Sequence, residues 1–423
     1  MRLETLCLHG GQEPDPATLS RAVPVYRTSS YVFKDAEHAA NLFALKEQGN
    51  IYTRLMNPTQ DVLEKRVAAL EGGAGALALA SGTSAVFYAV INLCRAGDEI
   101  VSANNLYGGT FTQFNDILPQ FGIKVHFVDP ADPENFAKAV TPRTKLIFCE
   151  TIGNPGLDVS DIAKISDVAR SHGLPLIVDS TFTTPYLQRP LENGADVVVH
   201  SLTKWLGGHG AGIGGVVVDS GKFDWKSGKF PLLTEPDGSY HDIRWAHDLG
   251  ELNPLAFILR MRLVPLRNLG ACISPDNAWF FLQGIETLPL RMERHCENAL
   301  AAARHLQKHP AVEWVRYPAL KGDPSFKLCQ KYLNGRGGGM VVFGIKGGKA
   351  AGSRFIDSLK LFSHLANVGD AKSLAIHPAT TTHAQLNEDQ QLAAGIKPEM
   401  VRLSIGLEHA DDILEDLDEA LGR

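Results

Sequence analysis

Val197-Val198-Val199-His200-Ser201-Leu202-Thr203-Lys204 opens as a short apolar run and ends in two hydroxyls and a lysine. A run this short and this apolar reads as a strand buried on both faces. Gly75–Ala80, Glu99–Ser102, Lys145–Cys149 and Leu174–Val178 repeat the pattern upstream, and Gly214–Val218 adds another downstream. Amphipathic stretches lie between them. In Asp161–His172, for example, Ile162, Ile165, Val168 and Ala169 make one apolar helix face. Strands alternating with helices predict an α/β fold on a largely parallel sheet.

The pattern weakens over residues 220–270, where Gly, Pro, Trp and His mix without periodicity; the expectation there is a long surface or active-site loop region with short helices. A helix then starts sharply, with Ser274 as N-cap, Pro275 in the first helical position and Asp276 in the first turn. After Pro289, the residues Met292, Cys296, Ala299, Ala303 and Leu306 recur at helical spacing. Strand-like Met340–Phe343 and Met400–Ile405 bracket further helices, including Asp411–Leu421, which predicts a second, smaller α/β domain. Two domains also suit a chain of 423 residues, since single cores seldom grow beyond roughly 250–300.

Composition narrows the function. Lys plus Arg number 41 against 47 Asp plus Glu, a net charge of −6 with no basic run, so no nucleic-acid partner is expected. The six cysteines (Cys7, Cys94, Cys149, Cys272, Cys296, Cys329) form no C-x-x-C pair and read as reduced thiols. Met1–Thr5 leads into no apolar region, and no run is long enough to span a bilayer, so a cytoplasmic protein without a membrane partner is expected. His377 and His383 are too far apart for a helical metal pair, and no metal is expected.

Ligands of open parallel sheets bind at the carboxyl ends of the strands. The residues just past each predicted strand are therefore the candidates. The first strand runs into Ser81-Gly82-Thr83-Ser84 at the start of an apolar helix, a turn whose free N–H groups suit a phosphate, although Ser81 could simply cap the helix. The second is followed by Tyr107-Gly108-Gly109, the third by Glu150 and then Gly153-Asn154-Pro155, the fourth by Asp179-Ser180-Thr181, and the fifth by Ser201, Thr203 and Lys204. Singly, each has a plain structural explanation. Together they suit an aldehyde cofactor: an amine to hold it as an imine (Lys204), an acid for a pyridine nitrogen (Asp179), hydroxyls and a glycine turn for a phosphate, and a flat ring to stack (Tyr107). Gly210, Gly212 and Gly215 spell G-x-G-x-x-G, but they precede a strand instead of joining a strand to a helix, which argues against a dinucleotide site.

At Ser201-Leu202-Thr203-Lys204 the sequence resembles the cysteine/methionine-metabolism family of pyridoxal-phosphate enzymes. The resemblance extends through Tyr52-Thr53-Arg54, Asn57-Pro58-Thr59, Ala80-Ser81-Gly82-Thr83, Leu106-Tyr107-Gly108, Gly153-Asn154-Pro155, Val178-Asp179-Ser180-Thr181 and Arg402–Glu408. Leu266–Gly270, Ser274-Pro275 and Gln283–Arg291 are similar to the branch of that family acting as O-acetylhomoserine sulfhydrylases. The resemblance implies a fold-type I architecture: an arm over residues 1–60 contacting the neighbouring subunit, a cofactor-binding domain over 61–273 with a mostly parallel sheet, and a smaller C-terminal α/β domain over 274–423. It implies pyridoxal 5'-phosphate on Lys204, with Asp179 at the pyridine nitrogen, Tyr107 stacked on the ring and Asn154 near the ring hydroxyl. Gly82, Thr83, Ser201 and Thr203 would hold the phosphate. Tyr52 and Arg54 would reach the phosphate of the neighbouring subunit, making a homodimer unit paired into a tetramer. Arg402, assisted by Asn367, would grip a substrate carboxylate.

The activity so implied is γ-replacement, in which O-acetylhomoserine and sulfide or methanethiol give homocysteine or methionine plus acetate. Lys204, Tyr107 and Asp179 are the catalytic candidates. A γ-lyase acting on methionine or cystathionine would use the same core. Methionine γ-lyases of the family carry cysteine where this chain has Gly109, which weighs against that reading. An O-succinylhomoserine sulfhydrylase would want an extra cation for the succinyl carboxylate, and the sequence does not single one out.

Overall fold

The computed structural model describes residues 1–381 and 395–422. Its larger sheet contains β1 (Gly75–Leu79), β2 (Glu99–Ala103), β3 (Lys124–Val128), β4 (Thr144–Glu150), β5 (Leu176–Asp179), β6 (Val197–Ser201) and β7 (Gly215–Asp219), in the spatial order β1-β7-β6-β5-β4-β2-β3. Strands β2 to β6 pair in parallel, and β7 runs antiparallel to both β6 and β1. The chain is thus α/β with a mostly parallel sheet. Its central strands β4, β5 and β6 are buried almost throughout, their apolar runs giving way to polar residues at the carboxyl ends. β5 begins at Leu176 because Pro175 has no N–H to donate, and its carbonyl accepts from Ile147 instead.

The sequence pattern offers no strand at Lys124–Val128. This segment is the sheet edge, paired only to β2 and mostly half-buried, so it needs no continuous apolar run. A second sheet holds β8 (Val312–Arg316), β9 (Met340–Ile345), β10 (Ser363–His364), β11 (Leu374–Ile376) and β12 (Met400–Ser404), in the order β10-β11-β12-β9-β8. The helix Leu288–Leu306 joins the two cores. Leu288, Met292 and Cys296 pack into the core of the large sheet, and Ala299, Ala302, Ala303 and Leu306 into that of the small one.

Residues 220–270 differ from the expectation of a surface loop region. The short helices are there, but the segment is anchored in the main core: Trp225, Phe230, Leu233, Trp245 and Phe257 are all buried. Trp225 stacks on Phe257 with centroids 5.1 Å apart and planes 14° apart. Burying one such phenylalanine stabilises by roughly 1.5–3 kcal/mol. The segment has no periodicity because single aromatic anchors, spaced irregularly, hold it instead of a helix or strand face. No described helix is long and apolar enough to cross a membrane.

Candidate active site

β4 and β5 end side by side, in a register that pairs Glu150 with Asp179. Parallel partners project to the same face of the sheet, so two carboxyl groups are set together in a buried position. Asp179 Oδ1 accepts from the Thr181 N–H at 2.9 Å. Burial nevertheless pushes its carboxyl above the ordinary range, against those Thr181 hydrogen bonds. Glu150 is pushed well above its ordinary value by burial and then by the charge of Asp179, while its Oε1 accepts from the Tyr107 N–H at 2.7 Å. Two adjacent carboxyl groups in such a place suit a cation that donates a hydrogen bond, as a protonated pyridine nitrogen does. Its place at a strand end makes Glu150 a candidate, but its sequence context assigns it no chemistry.

Next to them, β6 delivers Ser201 against the turn after β1. Ser81 does cap the helix Gly82–Ile91, accepting from the Ser84 N–H at 3.0 Å. A Cβ on Gly82 would lie 2.7 Å from Ser201 Cβ, so only glycine lets the turn approach the β6 hydroxyl. Thr83 Oγ1 lies 2.9 Å from Ser81 Oγ, the Ser201 N–H donates to Thr181 Oγ1 at 2.8 Å, and Thr203 Oγ1 accepts from the Gly214 N–H at 3.1 Å. Gly82, Thr83 and Ser201 thus converge at one helix N-terminus, which suits a phosphate. Gly215 has its own reason to be glycine, because a Cβ there would lie 2.1 Å from the Ser81 carbonyl oxygen.

Lys204 follows β6, and its Nζ donates to Asn367 Oδ1 at 2.5 Å. Burial, and then the positive charge of Arg402, bring its ammonium down to about 8. Arg402 stands on β12, where burial lowers its guanidinium to about 10, and it donates to Asn154 Oδ1 at 2.9 Å. Asn154, expected by a cofactor hydroxyl, is therefore held by the arginine. The loop bearing Asn367 is fixed to β12, where the Gly369 N–H donates to Ser404 Oγ at 2.9 Å, and to the lysine turn, where the Ala371 N–H donates to the Gly208 carbonyl at 2.9 Å. Arg291 is buried behind the same turn and donates to the carbonyls of Trp205 (2.7 Å), Leu206 (3.2 Å) and Gly284 (2.6 Å). In sequence Arg291 is only part of a family stretch; nothing in its spacing marks it as a clamp.

The Tyr107 ring is half-exposed at 48%. It folds back over Gly109, where a Cβ would lie 2.5 Å from Tyr107 Cε1. Tyr52 and Arg54 lie on an exposed turn, the guanidinium 5.1 Å from the tyrosine ring centroid. His377 is buried, with Nδ1 2.9 Å from Thr380 Oγ1 and Nε2 2.9 Å from the Pro398 carbonyl. His383 lies outside the described residues. A further buried pair, His200 Nε2 and Glu71 Oε1 at 2.6 Å, has no cue in the sequence pattern.

Residues 4–422 match the family described as Cys/Met metabolism PLP-dependent enzyme. A Leptospira meyeri protein named O-acetyl-L-homoserine sulfhydrylase is 59% identical, over 99% of this chain and 96% of its own length. O-acetyl-L-homoserine sulfhydrylase 1 of Thermus thermophilus is 55% identical over 100% of both chains. A solved structure from Campylobacter jejuni, provisionally assigned as an O-acetylhomoserine (thiol)-lyase and carrying N'-pyridoxyl-lysine-5'-monophosphate, superposes with a TM-score of 0.96 at 40% identity, over 100% of both chains.

Proposed function

This chain belongs to the Cys/Met metabolism PLP-dependent enzyme family, and from that premise we infer that it exchanges the acetoxy group of O-acetylhomoserine for sulfur, giving homocysteine and acetate from the ester and sulfide. The observation that carries the reading is the contact chain Lys204–Asn367, with Arg402–Asn154 beside it, at the strand ends where Glu150 and Asp179 are buried together. Bound pyridoxal phosphate supplies an aldehyde that condenses with amines and a ring that accepts the electron pair left when the substrate α carbon loses its proton.

The chain's own residues do the rest. Arg402 forks the substrate carboxylate and so fixes the α carbon near Lys204. Lys204, its ammonium lowered to about 8, reaches the neutral form far more readily than an ordinary lysine and in that form moves protons at the α and β carbons. Asn367 holds Nζ in place between transfers. Asp179 would keep a bound pyridine nitrogen protonated, and Glu150 fixes the backbone of Tyr107, whose ring would stack on the cofactor. Ser201, Thr203, Gly82 and Thr83 hold the phosphate. At the γ carbon the C–O bond breaks with its electron pair on acetate, and a C–S bond forms from the thiolate. Tyr52 and Arg54 serve the neighbouring subunit in a homodimer unit paired into a tetramer, for which exposed Leu269, Phe280 and Leu290 offer apolar contact surface. The same reading puts the enzyme in the cytoplasm.

Capture of the cofactor requires the neutral amine, and this sets a pH dependence. A lysine lowered to about 8 is half neutral there, not at its ordinary 10.5. The rate at which apoenzyme develops its yellow chromophore is expected to rise with pH and level off above about 8. A rate still climbing through pH 10 would show an unperturbed amine.

The choice of substrate turns on the leaving group. Acetate needs little acid assistance, whereas the thiolate of methionine needs a well-placed acid, a difference worth about 10²-fold or more. With Gly109 the Tyr107 ring occupies space that a cysteine side chain would take. kcat/KM for O-acetylhomoserine with sulfide is therefore expected to exceed that for methionine elimination by about 10²-fold. Methionine elimination of equal efficiency would make the enzyme a γ-lyase. Product analysis with acetyl- and succinylhomoserine, each with and without sulfide, tests the acyl group in the same assay.

A further inference from the structure

The segment between β7 and Ser274 carries none of the site residues, yet two of its side chains reach the arm that bears Tyr52 and Arg54. Arg262 donates through one guanidinium nitrogen to the Leu55 carbonyl at 2.6 Å and through another to Glu64 Oε2 at 2.5 Å, with the Ala76 carbonyl at 3.4 Å. Glu64 is largely buried in the helix Pro58–Glu71, and its Oε1 accepts from the Ala78 N–H of β1 at 2.9 Å. Farther out, the Tyr240 hydroxyl donates to the Phe43 carbonyl at 2.9 Å, with the Arg267 guanidinium 5.4 Å from the Tyr240 ring centroid. The segment is itself anchored: Arg260 lies 3.6 Å from Asp237 and donates to Asn92 Oδ1 at 2.9 Å, and Trp245 donates to Asp237 at 2.9 Å.

The geometry of the arm makes the Leu55 contact consequential. Leu55 and Met56 close a turn by donating their N–H groups to the Tyr52 carbonyl at 2.9 and 3.1 Å, and Asn57 then caps the helix Pro58–Glu71. Tyr52 and Arg54 therefore project from a turn whose last carbonyl is held by one guanidinium. That guanidinium is planar and forked, so it fixes the carbonyl relative to the helix and to β1 at once.

We propose that Arg262 is a positioning residue for the cofactor phosphate of the neighbouring subunit: it fixes the turn that aims Tyr52 and Arg54 into that site. The proposal rests on the reading of those two residues as serving the neighbouring subunit.

Arg262→Met alone would leave Glu64 buried and unpaired, and could fail to fold for that reason. Arg262→Met/Glu64→Gln removes both charges and keeps an acceptor for the Ala78 N–H. Binding is read as cofactor fixed to Lys204 by borohydride, over a range of pyridoxal phosphate concentrations added to apoenzyme. The double variant is expected to bind about tenfold more weakly or worse, the scale of one charge-assisted hydrogen bond to a phosphate. Co-producing it with Lys204→Ala then gives mixed oligomers. In these, the Lys204-bearing site receives its arm from a subunit with native Arg262, and wild-type affinity is expected to return there. Arg54→Ala, treated in the same way, tests the underlying reading. Unchanged affinity in the double variant overturns the proposal. Rescue of Arg54→Ala without rescue of the double variant leaves the arm reading standing and removes the clamp. Failure to rescue either variant removes both.

Discussion

Lys204→Ala is expected to lower kcat by about 10⁴-fold or more, the upper range for loss of a positioned general base, and to leave no borohydride-stable cofactor on the chain. Two functions would be lost at once, because on the proposed reading the amine that holds the cofactor is also the base that moves protons on the substrate. No neighbour can take over. Asn367 is an amide, Arg402 keeps its proton at working pH, and the Tyr107 phenol cannot form an imine. The fold should survive. In the apoprotein the lysine is a cation with a depressed pKa, so its charge costs stability below about pH 8, and that cost fades as pH rises toward 10.5. Alanine removes this cost, so the apo variant should melt no lower than apo wild type at pH 7. Activity within tenfold of wild type, or a borohydride adduct on another lysine, would refute the assignment.

The legibility of this site comes from how a parallel sheet works. The strands announce themselves as apolar runs, and the residues just beyond each run must sit at one edge of the sheet. Those residues alone gather Lys204, Asp179, Ser201 and the Gly82 turn, which the structure brings to one place. Contacts made across the fold are another matter. Arg402 is an arginine on a strand of the second sheet, and only the packing of that sheet on the lysine turn sets it next to Asn154. The clamps of Arg291 on carbonyls near residue 205 and of Arg262 on Leu55 and Glu64 join positions far apart in sequence, which no local pattern records. The same holds for residues 220–270. Isolated buried aromatics look like a loop in sequence because the information lies in their partners, Phe257 for Trp225 and Asp237 for Trp245. β3 escapes for the opposite reason, since an edge strand is too exposed to need an apolar run.

Asp179→Asn is expected to cost about 10³-fold in kcat with a much smaller change in KM. A nearby opposite charge moves a pKa by about 1–3 units, so replacing the carboxylate with a neutral amide lowers the protonated fraction of the pyridine nitrogen by up to about 10³-fold. The protonated ring accepts the electron pair best, and rate tracks that fraction. Arg402 and the residues proposed to hold the phosphate are untouched, so on that reading the substrate and cofactor should still bind. Stability of the apoprotein separates this from misfolding. Burial raises the Asp179 carboxyl above its ordinary 3.8. A carboxyl raised on folding contributes stability that is fully present below 3.8 and is lost as pH rises through its folded value. Asparagine stays neutral, so at pH 7 the apo variant should be at least as stable as apo wild type and less sensitive to pH. Glu150 responds as well: with the charge at 179 gone, one cause of its raised pKa disappears and it ionises at lower pH, yet its Oε1 is already engaged by Tyr107. It should therefore not replace Asp179. A variant that binds pyridoxal phosphate normally and turns over at close to the wild-type rate would show that the ring nitrogen is not held by this carboxylate.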